Sequence, residues 1–273
     1  MTAADDRNPA LARYVVGLVV AAAAVLAPAV VLSARVRSGD HLLVAALLGV
    51  ALLAAYRFPV HLTDKTKVSV DTAILLAAVL LLPPELAIAM AGVMAAVHEL
   101  VEHTSWQQSV FNAAQTTLYV AAGARVFHAI AGPGSPPLLA EPSALLAALV
   151  AVAVMHALNT AAVAVAAALQ LGRSPLAFWL DGIGVDLPEH GALAATGVLL
   201  AIATQSYPWV LPLLAGPLVL VYLSLRTRAE LRATTRATAD ALADLNARFG
   251  SPPGAAEPGH GGRARRDNAG VAD

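Results

Sequence analysis

Cysteine is absent from this 273-residue chain. Its absence removes disulfides, thiolate metal sites and cysteine nucleophiles together, and leaves the redox compartment undecided. Charge is scarce: Asp, Glu, Lys and Arg make up 13% of the residues, against about a quarter in an ordinary soluble domain. The formal net charge is −1, so there is no basic field to attract nucleic acid, and no nucleic-acid partner is expected. Aromatics are only 5%. No Gly-rich phosphate loop and no Ser–His–Asp pattern stands in the sequence.

What fills the chain instead is apolar. Hydrophobic residues are 58% of it and the mean hydropathy is +0.69. Charge is missing where the apolar runs are long. A hydrocarbon core about 30 Å thick is crossed by roughly 20 apolar residues in a helix. Lipid offers no partner to backbone polar groups, so the helix satisfies them within the segment. The expected fold class is all-α: a polytopic transmembrane bundle of about eight spans, or seven, partnered by the lipid bilayer. Ala-rich composition suits it, because small residues let helices approach closely in lipid. The composition matches a bacterial inner-membrane protein.

The spans are expected at Leu11 to Ala34, His41 to Tyr56, Val68 to Leu82, Glu85 to Val101, Gln108 to Ala131, Ser143 to Leu171, Glu189 to Thr204 and Trp209 to Leu225. The first could instead be a signal peptide, with Leu32-Ser33-Ala34 as a cleavage site; its length favours a retained helix. Pro83-Pro84 breaks the third from the fourth and predicts a tight hairpin of short or tilted helices. Ser174 to Leu187 mixes Phe178 and Trp179 with Asp181 and Asp186, which predicts an interfacial segment. Lys and Arg set the orientation. Arg226, Arg228, Arg232 and Arg236 put the C-terminus in the cytoplasm, and eight spans put the N-terminus there too. Arg57, Lys65, Lys67 and Arg173 then fall inside, with Arg35 and Arg37 as the exceptions to the positive-inside pattern.

Beyond the last span the character changes. The domain organisation read from this is a helical membrane region over residues 1–225, a cytoplasmic juxtamembrane helix over 226–249, and a disordered Pro/Gly/Ala tail over 250–273. Leu231, Thr235, Thr238, Leu242, Leu245 and Phe249 step by three and four residues, a weak heptad seam. Leu231, Leu242 and Leu245 are the candidate signalling positions, and a homodimer through this helix is the partner it suggests. A solvated helix held near anionic lipid explains the same pattern.

Polar residues inside the spans are the candidates for chemistry. Asp71 opens the third span. Asn112, Gln115, Thr116 and Tyr119 share one face of the fifth, and Arg125 and His128 follow. His156, Asn159 and Thr160 lie mid-sixth, and His190 lies near one end of the seventh. Ionisable groups at bilayer depth are costly and face the bundle interior or a wet cavity. The pocket candidates are therefore Asp71, Asn112, Gln115, Tyr119, Arg125, His128, His156 and Asn159; helix–helix hydrogen bonding is the plainer role for the amides. A second cluster is His98, Glu99, Glu102 and His103, with two pairs four residues apart. Imidazole and carboxylate suit zinc or iron, but the second His comes five residues after the first, not the four of His-Glu-x-x-His. No cofactor is expected, and a metal only on the weaker reading of these four residues.

Several short motifs resemble a known arrangement: Phe58-Pro59-Val60-His61-Leu62, then Val68-Ser69-Val70-Asp71, Phe111-Asn112-Ala113-Ala114-Gln115, Leu158-Asn159-Thr160, and the exit helix with Glu230-Leu231-Arg232 and Ala239-Asp240-Ala241-Leu242. Over about residues 40 to 248 the chain is similar to the multi-helix membrane region that precedes HD-GYP phosphohydrolase or diguanylate cyclase modules in bacterial signalling proteins. The resemblance implies a membrane sensor or anchor whose exit helix feeds a cytoplasmic output protein. After Phe249 there is no His-Asp pair and no Gly-Gly-Asp/Glu-Glu-Phe motif, so the resemblance implies no enzymatic activity here. The expectation is a sensor or receptor-like module; the alternatives are a small-molecule transporter or substrate-capture subunit, and an intramembrane metal-dependent enzyme.

Overall fold

The structure is a computed structural model describing residues 8–57, 60–61, 67–68, 70–102, 105–132 and 137–207, with scattered helical positions from 223 to 245. Among the described residues the chain is all-helical apart from one minimal ladder. The helices are α1 (Pro9–Ser33), α2 (Gly39–Arg57), α3 (Asp71–Leu81), α4 (Pro84–Val101), α5 (Trp106–Ala131), α6 (Pro142–Leu171) and α7 (Pro175–Ser206). Between α2 and α3, strands β1 (Val60–His61) and β2 (Lys67–Val68) pair antiparallel, with Val60 opposite Val68.

Local chemistry sets the boundaries. Asn8 caps α1, its side-chain oxygen accepting from the amides of Ala10 (3.1 Å) and Leu11 (3.3 Å), with Pro9 at the first helical position. Both are standard N-terminal devices. The Asn8 amide also donates to the Leu169 carbonyl at 2.7 Å, tying the start of α1 to the end of α6. Gly172 ends α6 in the left-handed region (φ 62°), a conformation that costs any residue with a Cβ. Pro83 and Pro84 end α3 and start α4 as the sequence predicts.

Four helices, α1, α2, α4 and α6, are long and apolar enough to cross a membrane. Their outward faces are greasy: Val20 and Val50 are 63% and 68% exposed. Large apolar surface of this kind belongs against lipid. The other three depart from the eight expected spans for separate reasons. α3 has 11 residues, about 16 Å of helix, which is half a hydrocarbon core. α5 is long enough but carries a continuous polar face. α7 joins the expected interfacial segment to the expected seventh span in one 32-residue helix. The expected eighth span lies almost wholly outside the described residues, as do His103 and the tail over 250–273.

The chain divides into two units, Met1–Thr227 and Arg228–Asp273. In the first, α5 packs on α1, α4 and α6, while α3 packs chiefly on α7 and also touches α2, α4 and α5. α3 is the centre: every residue from Ala73 to Leu81 is buried. A helix apolar on all sides is a core helix. In the second unit the described positions are helical, and Thr234, Thr235 and Thr238 return their hydroxyls to carbonyls one turn back. Leu231, Leu242 and Leu245 are exposed there.

Candidate functional site

The helices place their polar residues at one level. α2 ends at Arg57 and α4 at Val101, and α3 begins at Asp71. Along α5 that level falls at Asn112 to Tyr119, about 9–20 Å in from its start at 1.5 Å per residue. On α6 it falls at Asn159, about 18 Å before the helix end, and on α7 at His190, about 22 Å from the start. The ends of the shorter helices thus sit deep beside longer ones, and a cavity of about 310 Å³ opens there.

Each wall has a traceable origin. Asn112, Gln115, Thr116 and Tyr119 arrive on one face of α5 because three- and four-residue steps return to the same side of a helix. Asp71 and Thr72 come from the first turn of α3, and the Thr72 amide donates to Asp71 Oδ1 at 2.9 Å. α4 contributes His98 and Glu99 from its last turn, α2 contributes Tyr56, α6 Asn159 and α7 His190. The Tyr56 ring stacks on the His98 imidazole, with centroids 4.6 Å apart and planes 18° off parallel. The Tyr56 hydroxyl is buried without a hydrogen bond of good geometry among the described residues, although Thr116, Asp71 and Tyr119 surround it.

Two contacts tie the walls together. Asn112 donates to Glu99 Oε1 at 2.8 Å, joining α5 to the end of α4. Buried Gln115 donates to both the carbonyl and the side-chain oxygen of Asn159, at 2.8 and 2.6 Å, joining α5 to α6. A polar side chain in lipid that finds such a partner contributes about 0.6 kcal/mol on average.

A second cavity of about 210 Å³ adjoins the first and shares Thr72, Tyr119, Asn159 and His190 with it. Its remaining walls are apolar apart from His156. The His156 and His190 rings meet at its edge, centroids 4.6 Å apart. Beyond them the Trp179 indole donates to the Thr160 hydroxyl at 2.9 Å, which in turn donates to the His156 carbonyl at 2.8 Å.

Of the pocket candidates read from sequence, Asp71, Asn112, Gln115, Tyr119 and Asn159 line the first cavity and His156 the second. Arg125 and His128 line neither. Arg125 is exposed on the outer face of α5, where a long cationic side chain reaches toward the membrane surface. His128 Nε2 lies 3.2 Å from the Leu82 carbonyl and serves as its donor; the Pro-Pro break deprives that carbonyl of a helical partner. His98 and Glu99 belong to the first cavity, while Glu102 caps α4 through its backbone. Among the described residues no three His, Asp or Glu side chains form a metal-holding group. Sequence reasoning missed Tyr56 and Thr72. The polar Thr72 beside Asp71 was a signal that could have been used; Tyr56 at a helix end gave none.

No protein-family model, no curated protein and no solved structure matches this chain.

Proposed function

We propose that this chain is an integral membrane receptor-like module. It binds a small polar ligand in the α2–α7 cavity and passes occupancy through its C-terminal helix to a cytoplasmic partner. The observation that carries the reading is the cavity itself: polar side chains from six helices converge on one half-open volume within an apolar bundle. Polar and ionisable groups at such depth are expensive and usually functional. The motif resemblance to the membrane region of bacterial HD-GYP and cyclase proteins supports the relay, and the chain is assigned no catalytic role of its own.

In this reading eight spans cross the bacterial inner membrane with both termini in the cytoplasm, and Leu231, Leu242 and Leu245 pair across a homodimer. Binding shifts helices in the bundle and re-pairs the exit helices. The test uses the natural absence of cysteine. Leu242→Cys and Leu245→Cys, oxidised in native membranes, give disulfide-linked dimers; a chain that stays monomeric at both positions overturns the relay.

A second reading, a transporter or substrate-capture subunit, is favoured by the half-length α3, whose first turn at Asp71 and Thr72 lines the cavity, since interrupted helices often form transport sites. Loss of solute uptake in Asn112→Leu and Asn159→Leu, with membrane expression retained, selects it.

A further inference from the structure

Three side-chain amides in the wall of the larger cavity have unused edges, and their hydrogen bonds fix what those edges are. The Asn159 backbone carbonyl can only accept, so the Gln115 group 2.8 Å from it is the –NH2 end, and Gln115 Oε1 is left over as an acceptor. The same nitrogen donates to the Asn159 side chain at 2.6 Å. The atom it meets is therefore Oδ1, and the N–H groups of Asn159 are left over as donors. Asn112 gives its –NH2 to the Glu99 carboxylate at 2.8 Å and keeps Oδ1 as a second acceptor. All three amides line the larger cavity, and among the described residues none of the three leftover edges has a protein partner. The Tyr56 hydroxyl, buried in the same wall without a hydrogen bond of good geometry, adds another donor. Ligand charge is not what this wall selects. It carries carboxylates at Asp71 and Glu99 and imidazoles at His98 and His190. Both carboxylates are engaged already, by the Thr72 amide at 2.9 Å and by Asn112.

We infer that the cavity is a site for a small uncharged primary carboxamide, its carbonyl accepting from Asn159 Nδ2 and its –NH2 donating to Gln115 Oε1 and Asn112 Oδ1. This deepens the receptor reading above and rests on it. Asn112 and Gln115 stand on one face of α5 with about 5–6 Å between their Cβ atoms, close enough for both oxygens to receive the hydrogens of one –NH2 group. A primary carboxamide presents one acceptor beside two donors, the complement of what the three amides leave over. A carboxylate offers no donor and an ammonium no acceptor, so each leaves part of the wall unpaired, which is costly away from bulk water. The cavity, about 310 Å³, lies at the small end of the roughly 300–1,000 Å³ range of ligand pockets, which suits a compact ligand.

The test is saturation-transfer NMR titration of the full chain in phosphatidylcholine nanodiscs at neutral pH, with empty nanodiscs as the blank. The probes are propionamide, N,N-dimethylpropionamide, propionate, propylamine and glycerol. Propionamide is expected to bind at least tenfold tighter than each of the others. The dimethyl amide keeps the carbonyl and loses both donors, so it isolates the contribution of Gln115 and Asn112. Asn159→Asp keeps the oxygen that Gln115 uses and replaces the donors by a second oxygen; it is expected to weaken propionamide at least tenfold. Asn112→Leu, the second variant, is expected to do the same. Equal affinity for any of the other probes, unchanged propionamide binding in both variants, or no propionamide binding at all overturns the inference. If another probe binds and is lost in Asn159→Asp, the receptor reading stands with a different class of ligand and the carboxamide falls. Failure of the receptor reading itself is read separately, from monomeric behaviour at Leu242→Cys and Leu245→Cys.

Discussion

Gly197 has room for a hydrogen and little more. A Cβ built there would lie 2.6 Å from the Ala73 carbonyl oxygen and 3.1 Å from Leu76 Cβ. Backbone cannot swing aside as a flexible side chain can, so Gly197→Ala must push α7 off α3. We expect it to cost about 1–3 kcal/mol, the usual range for overpacking, read as a lower thermal midpoint in detergent. Gly17 on α1 is the control, with nothing within 4 Å of its built Cβ; Gly17→Ala should be neutral or stabilise by up to about 1 kcal/mol through helix propensity. Gln115→Leu removes both bonds to Asn159 and strands a polar side chain at depth. We expect a loss of roughly 0.6–1.7 kcal/mol, measured the same way, with expression retained.

α5 shows what a helix can reveal in advance and what it cannot. Its polar face was legible because Asn112, Gln115, Thr116 and Tyr119 repeat at helical spacing, and that face does line the cavity. The same geometry also excludes two candidates. At 3.6 residues per turn, Arg125 lies about 120° around from Tyr119 and His128 about 180°, which is why neither meets the cavity. What the face would meet was not legible. Periodicity says which side of a helix is polar; it is silent on which helix stands opposite, and Tyr56 and His190 come from α2 and α7, far along the chain. The wall also makes a prediction for the element. Thr116→Cys should react with a water-soluble maleimide, while Leu158→Cys, 44% exposed on the outside of α6, should stay unlabelled in lipid. His128→Leu leaves the Leu82 carbonyl without its donor and should destabilise the α3–α4 turn by about 1 kcal/mol.

For the whole molecule, apolar run length and proline breaks located the helix boundaries to within a few residues, from α1 through α6. Depth was the property hidden from the sequence. A run of 11 apolar residues reads much like a short span, and only packing shows that α3 occupies the level from Tyr119 to His128 and no more. Orientation remains a prediction of the Lys and Arg distribution: a fluorescent-protein fusion after Phe249 should light up, and an alkaline phosphatase fusion there should stay inactive. The buried rod of α3 has an electrical consequence. It fills the far half of the bundle with close-packed hydrocarbon, so a membrane voltage must fall mostly across that plug. A whole-membrane drop is worth about 2.3 kcal/mol per charge per 100 mV, and a charged group reaching the cavity from the Asp71 end of α3 crosses little of it. Binding should therefore be nearly blind to voltage, whereas any step that carries charge past Leu82 would feel almost the entire field.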